Sequence, residues 1–74
     1  GEKMKAREMF EALGYELDCD DDLLLIYKKN VIEIVFQKDY KKYHALWSGE
    51  PLSINVDLHK AIHQQCIELN WIEQ

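Results

Sequence analysis

Apolar residues near the N-terminus recur at the spacing of an α-helix. Four of them stand at positions i, i+3, i+4 and i+7, namely Ala6, Met9, Phe10 and Leu13. Gly14 follows them, and glycine readily adopts the left-handed conformation in which many helices end. The pattern predicts a helix over residues 3–13 that buries this stripe.

The middle of the chain carries the patterns of β-strands. Four segments are predicted as strands, over residues 15–20, 23–28, 31–37 and 42–47. In the first segment, apolar residues alternate with acidic ones, and the apolar set is Tyr15, Leu17 and Cys19. Lys29-Asn30 predicts a tight hairpin between the second and third segments, because asparagine tolerates a positive φ. Residues 48–51, Ser-Gly-Glu-Pro, break the strand pattern.

A second amphipathic helix is predicted from Val56 to Leu69, with Asn55 or Ser53 as its N-cap. Its buried stripe is expected to comprise Leu58, Ala61, Ile62, Cys66 and Leu69. Asn70 suits the left-handed position after the last turn, which would let Trp71 fold back against the helix.

The order of these segments predicts one α+β domain over residues 1–74. The expected fold is a helix, a three- to four-stranded antiparallel meander sheet and a second helix. A chain this short builds only a small core, so both helices are expected to cover one face of the sheet.

The other face of that sheet is then open. Alternation along the strands directs one set of side chains toward the helices, namely Leu23, Leu25, Tyr27, Ile32, Ile34, Phe36, Tyr43, Ala45 and Trp47. The opposite face receives Leu24, Ile26, Val31, Val35 and Leu46, together with Lys28, Glu33, Lys42 and His44. Valine and isoleucine suit strands on any face, but a contiguous exposed apolar surface usually marks association. We therefore predict a protein-interaction surface that comprises Leu24, Ile26, Val35 and Leu46.

Composition and charge narrow the possible partners. Fourteen acidic and nine basic residues give a net charge of −5, which argues against a general nucleic-acid-binding protein. No apolar run approaches the roughly 20 residues of a membrane span. Two cysteines are too few for a disulfide-stapled scaffold and fit a reducing cytoplasm.

Two alternatives involve nucleic acid. In the first alternative, lysines near the predicted hairpins would contact phosphates. These lysines are Lys28, Lys29, Lys38, Lys41 and Lys42. In the other, an acidic run would mimic nucleic acid, through Glu16, Asp18, Asp20, Asp21 and Asp22. We favour a protein partner, because hairpin lysines usually serve as solubilising edge residues and acidic runs usually only solvate a surface.

Two patterns resemble metal sites, and neither predicts a bound cofactor. His59, His63 and Cys66 share one side of the second helix, and His-x3-His is a spacing that zinc uses. No fourth ligand is evident, so we interpret them as two flanking histidines and a core cysteine. The aspartates at positions 18, 20 and 22 have the spacing of the first three ligands of a calcium-binding loop. However, Leu23 and Lys29 occupy the positions at which such a loop requires glycine and glutamate.

The sequence also lacks the usual signals of an enzyme. Neither Ser48 nor Ser53 lies in a nucleophile elbow, and the three glycines stand apart rather than in a phosphate-binding loop. No pair of carboxylates stands out from the other acidic residues. We predict that the protein is not an enzyme.

Both ends of the chain resemble a group of small phage and prophage proteins from Gram-positive bacteria. Residues 4–16, MKAREMFEALGYE, are similar to the opening of those proteins. Residues 62–71, IHQQCIELNW, are similar to their frequent closing pattern Gln-x-Cys-x-Glu-Leu-Gly-Trp, with Asn70 in place of the glycine. The family is uncharacterised, so the resemblance implies a phage or prophage origin and a cytoplasmic location but no catalytic residue. We expect an accessory protein that binds a second copy of itself or a host protein.

Overall fold

The computed structural model describes residues 4–73, and this part of the chain forms two helices and an antiparallel sheet of five strands. In chain order they are α1 (Ala6–Ala12), β1 (Glu16–Asp20), β2 (Leu24–Lys29), β3 (Ile32–Gln37), β4 (Lys42–Trp47), β5 (Glu50–Pro51) and α2 (Val56–Glu68). The strands are neighbours in the order β1-β2-β3-β4-β5, which is a meander. The predicted α+β class is confirmed, whereas three to four strands were too few. The predicted start of the first helix, at residue 3, lies outside the described residues.

The additional strand is β5, at a segment that the sequence marks as a breaker. Ser48 and Gly49 have φ angles of 48° and 82°, so they form a two-residue turn that returns the chain along β4. Glu50 then pairs with Trp47 across the turn. Pro51 is tolerated because β5 lies at the edge of the sheet, where a missing N–H breaks no ladder.

The hairpin between β2 and β3 is shifted by one residue from its predicted position. Asn30, with a φ of 53°, and Val31 form the turn, and Lys29 pairs with Ile32 as the last pair of the ladder. The predicted turn at Lys29-Asn30 is therefore wrong. Val31 belongs to the turn rather than to the outward face of a strand.

A bulge in β1 changes the face that Cys19 occupies. Leu17 pairs with Tyr27 and Cys19 pairs with Ile26, so Asp18 is an extra residue on this strand. Residues directly opposite each other in a ladder share a face. Leu17 therefore faces the core, while Cys19 faces the other side, and the simple alternation predicted for this strand is wrong.

Both helices end in the same way, with a left-handed residue followed by an aromatic side chain. Gly14 and Asn70 have φ angles of 94° and 62°. After α2, the N–H of Trp71 donates to the carbonyl oxygen of Cys66 at 2.9 Å, and this bond satisfies a carbonyl that the helix leaves unpaired. The return places the Trp71 ring 6.0 Å from the ring of Phe36, in the core.

The N-terminus of α2 is capped by Asn55, one of the two predicted candidates. Its side-chain oxygen accepts a hydrogen bond from the N–H of Leu58 at 2.9 Å. The helix buries the residues that its periodicity indicates, namely Leu58, Ala61, Ile62 and Cys66, while Leu69 is half-buried.

One hydrophobic cluster joins both helices to the sheet. Phe10 of α1 stacks on Tyr27 of β2 with ring centroids 3.9 Å apart, and Phe36 of β3 meets Phe10 edge-on at 6.3 Å. The Tyr27 hydroxyl donates to Oε1 of Gln65 in α2 at 2.7 Å. The other buried apolar residues of the cluster are Tyr15, Leu25, Ile34, Leu58, Ala61, Ile62 and Cys66.

Three residues that were expected to face the helices are largely exposed. Leu23 lies in the turn before β2 and is 58% exposed. Tyr43 and Trp47 are 41% and 58% exposed, although they pair with Phe36 and Ile32 on the core side of β3. The predicted side of the sheet is therefore confirmed for both residues of β4, but much of their surface stays exposed.

Replacing Tyr27 by phenylalanine tests the hydrogen bond that links β2 to α2. The free energy of unfolding should fall by about 1–3 kcal/mol, because the buried Gln65 loses its partner. Urea titration of Tyr27→Phe against Tyr40→Phe measures the difference, since Tyr40 is 72% exposed. Equal stability of the two variants would contradict the assigned role of this bond.

The same phenol predicts a pH dependence of stability. Burial raises the pKa of Tyr27 from its ordinary value of 10.0 to about 12. Between these values the unfolded chain has lost the proton and the folded chain has kept it, so the free energy of unfolding falls as pH rises. Denaturant titrations of wild type and Tyr27→Phe across this window should show a shallower decline in the variant. Identical slopes would exclude Tyr27 as the cause.

Candidate interaction surface

The face of the sheet opposite the core carries the four residues proposed as an interaction surface. We call them the open-face cluster, and they are Leu24, Ile26, Val35 and Leu46. Each is half-buried, and on β2 and β3 they alternate with residues whose side chains enter the core. The fold therefore brings all four to one side of one sheet.

Val35 lies at the centre of this cluster. The ladders place it directly opposite Ile26 of β2 and His44 of β4. Leu24 and Leu46 each stand two residues along those neighbouring strands, so they are its diagonal neighbours at about 7–8 Å. The register thus places the four aliphatic residues as direct or diagonal neighbours on one face.

A row of charged residues borders the cluster on one side. Glu16, Lys28 and Glu33 lie in register on β1, β2 and β3, and Leu46 of β4 completes the row. The charges therefore alternate in sign across the sheet. Within residues 4–73, neither Lys28 nor Glu33 forms an ion pair shorter than 4.0 Å, although they stand directly opposite each other.

The two cysteines lie in surroundings that disfavour the thiolate form. Cys19 shares the open face with Ile26, and desolvation together with the charge of Asp21 raises the pKa of its thiol. Burial raises the pKa of the Cys66 thiol on the other side of the sheet. Activated cysteines usually have a lowered pKa, and the shifts of these two thiols are in the opposite direction.

Two of the five lysines considered for phosphate binding have partners within the fold. The ammonium group of Lys29 donates to the carbonyl oxygen of Leu13 at 3.0 Å. Lys38 pairs with the carboxylate of Asp20 at 2.8 Å and also donates to the carbonyl oxygen of Asp21. These lysines hold a helix end and a turn, which reduces the charge available for nucleic acid.

The acidic run likewise has a structural role. One carboxylate oxygen of Asp21 accepts the N–H groups of Leu23 and Leu24, each at 2.8 Å. These bonds lower the pKa of the Asp21 carboxyl, because they favour its charged form. The carboxylate therefore closes the turn into β2, as the turn preference of aspartate predicts.

His59, His63 and Cys66 line a groove of about 330 Å³ together with Tyr43 and Trp71. The two imidazole rings are 6.2 Å apart. Among the residues that the structure describes, no three His, Cys, Asp or Glu side chains are placed to hold a metal ion. Cys66 packs in the core, as its place at the edge of the apolar stripe indicates.

Comparisons with known proteins identify no relative of this chain. No protein-family model, no curated protein and no solved structure matches this chain. Neither of the described helices is long and apolar enough to cross a membrane.

Aspartate substitutions at neighbouring positions of β3 test which face is open. Val35→Asp should keep the fold and cost about 1–2 kcal/mol, because its carboxylate stays in contact with water. Ile34→Asp should unfold the protein, because Ile34 is 0% exposed and an unpaired charge would be buried there. Circular dichroism and thermal unfolding distinguish the two variants. If Val35→Asp unfolds as completely as Ile34→Asp, the outward face is core and the assignment is wrong.

Proposed function

We propose that this protein is a binding module that recognises another protein through the open face of its sheet. The observation that carries the proposal is the open-face cluster, a continuous aliphatic group beside a row of charges. Monomeric proteins rarely leave such a group in water, and surfaces of this kind usually take part in association. An apolar centre with a charged rim is also the usual anatomy of a protein interface.

The edges of the sheet are less suited to binding than its face. β1 carries a bulge and three carboxylates, at Glu16, Asp18 and Asp20. β5 has only two residues, and one of them is Pro51. Bulges, charges and proline are the features by which proteins prevent other strands from adding to a sheet edge.

The surroundings of the ionisable groups favour binding over catalysis. Desolvation raises the pKa of both thiols, neighbouring aspartates also raise the pKa of Cys19, and Asp21 and Lys38 are engaged in closing a turn. The engagement of Lys29 and Lys38 within the fold favours a protein partner over nucleic acid. We therefore propose a role that is not enzymatic.

The resemblance of the two chain ends to phage and prophage proteins extends this proposal. On that basis the protein is an accessory factor of a phage or an integrated element and acts in the cytoplasm. Its partner is then either a second copy of the same chain or a host protein.

Ile26→Asp and Val35→Asp test the proposed surface directly. Both should abolish association of the protein, because each places a carboxylate at the centre of the apolar group. Native mass spectrometry over a range of concentrations measures self-association, and Tyr40→Asp, on an exposed hairpin, is the matched control. If wild type stays monomeric, the same proteins serve as baits for host factors, and a specific partner must be lost with Ile26→Asp.

Folded variants that associate as well as wild type would contradict the proposal. Circular dichroism of each variant shows whether it is folded, so a loss of binding through unfolding is recognised.

A further inference from the structure

The pattern of residues on the open face fits a second copy of this chain. We propose that two copies pack their open faces together about a two-fold axis that runs parallel to the strands, between β2 and β3. This inference rests on the proposed function and adds to it the identity of the occupant and its orientation.

An axis in this position has a simple geometric consequence. It places β2 of one copy over β3 of the other, and β1 over β4. Each residue of β2 therefore faces, across the interface, the same β3 residue with which it pairs in the ladder of its own copy. A second copy therefore fits only if the outward register partners of β2 and β3 are complementary in character.

Two of the three outward register pairs of β2 and β3 meet this condition, and the third sets Leu24 against Gln37. In the middle row, Ile26 of one copy faces Val35 of the other, so aliphatic groups meet on both sides of the axis. In the bordering row, Lys28 faces Glu33, and the pair occurs twice because of the symmetry. The resulting four charges alternate in sign, and each lies next to opposite charges.

The exposure of these charges suits a rim rather than a core. Lys28 is exposed and Glu33 is half-buried in the single chain. Ion pairs at the rim of an interface keep part of their hydration, which limits the desolvation penalty of buried pairs. Such pairs determine orientation and specificity more than affinity, and the aliphatic middle row supplies the apolar burial.

Another two-fold axis that keeps the sheets aligned runs across the strands, through the middle row. It would place Lys28 over Leu24 and Glu33 over Gln37. Both charges would then lose water without gaining an opposite charge, which is unfavourable. The axis parallel to the strands places only one such charge per copy, Glu16, opposite an apolar residue, Leu46, so the charge pattern favours that axis.

Charge reversals at positions 28 and 33 test this geometry. Lys28→Glu alone gathers four acidic groups around the axis, and Glu33→Lys alone gathers four basic ones. Each should raise the dimer dissociation constant by about 100-fold or more. In an equal mixture of the two variants, each new side chain faces an opposite charge, so a mixed dimer should form. Labelling one variant with 15N lets native mass spectrometry distinguish the mixed dimer.

A crosslink tests the same axis without a change of charge on the bordering row. The axis places Cys19 of one copy opposite His44 of the other. A short bis-maleimide should therefore join two copies of His44→Cys. Within one copy the two positions are three strand spacings apart, about 14 Å, which exceeds the reach of a short reagent. Cys66 is 7% exposed and is protected from labelling.

Four outcomes decide the inference. A wild-type dimer that each charge reversal disrupts and their mixture restores supports it. A dimer disrupted by Ile26→Asp but not by Lys28→Glu, or not joined through position 44, overturns the proposed axis and leaves the proposed function standing. A dimer that Ile26→Asp does not affect overturns both. A wild-type protein that stays monomeric overturns the inference, and the bait experiment then decides the proposed function.

Discussion

The stack of Phe10 on Tyr27 determines which face of the sheet is covered. It places α1 against β2, and the hydroxyl of the same tyrosine donates to Gln65 and places α2 on the same side. The helices are also joined directly, because the carboxylate of Glu68 accepts the N–H of Ala6 at 2.7 Å. Both described helices therefore contact the same residue of β2, Tyr27. The open face is therefore a consequence of how the core is built.

The side of the sheet on which most strand residues lie could be predicted from their alternation. The exceptions depend on a bulge and on the extent of the helices, which alternation does not show. The inward position of Ile34 and the outward position of Val35 follow from alternation along one strand. Cys19 was placed on the wrong face because a bulge adds one residue without any signal in the alternation. Trp47 lies on the predicted side of the sheet but stays exposed, because the sequence does not show how far the helices extend over β4.

The composition of the open face could be predicted, but its register could not. A turn at Lys29-Asn30 would place Ile26 opposite Glu33, whereas the turn one residue later places it opposite Val35. A shift of one residue in a hairpin turn thus moves every pair in the ladder by two positions. The complementarity on which the two-fold axis depends appears only with the later turn.

The charged row also explains how one sheet can carry apolar residues on both faces. A small core limits the stability of the single chain, and further apolar burial is available only on association, which stabilises the folded state by mass action. The same apolar group is a liability for a monomer in water. Lys28 and Glu33 sit beside it on the same face, and charges interspersed with a small apolar patch keep a surface soluble. In the proposed dimer, the charges that keep the single chain in solution are also the ones that determine the orientation of the second copy.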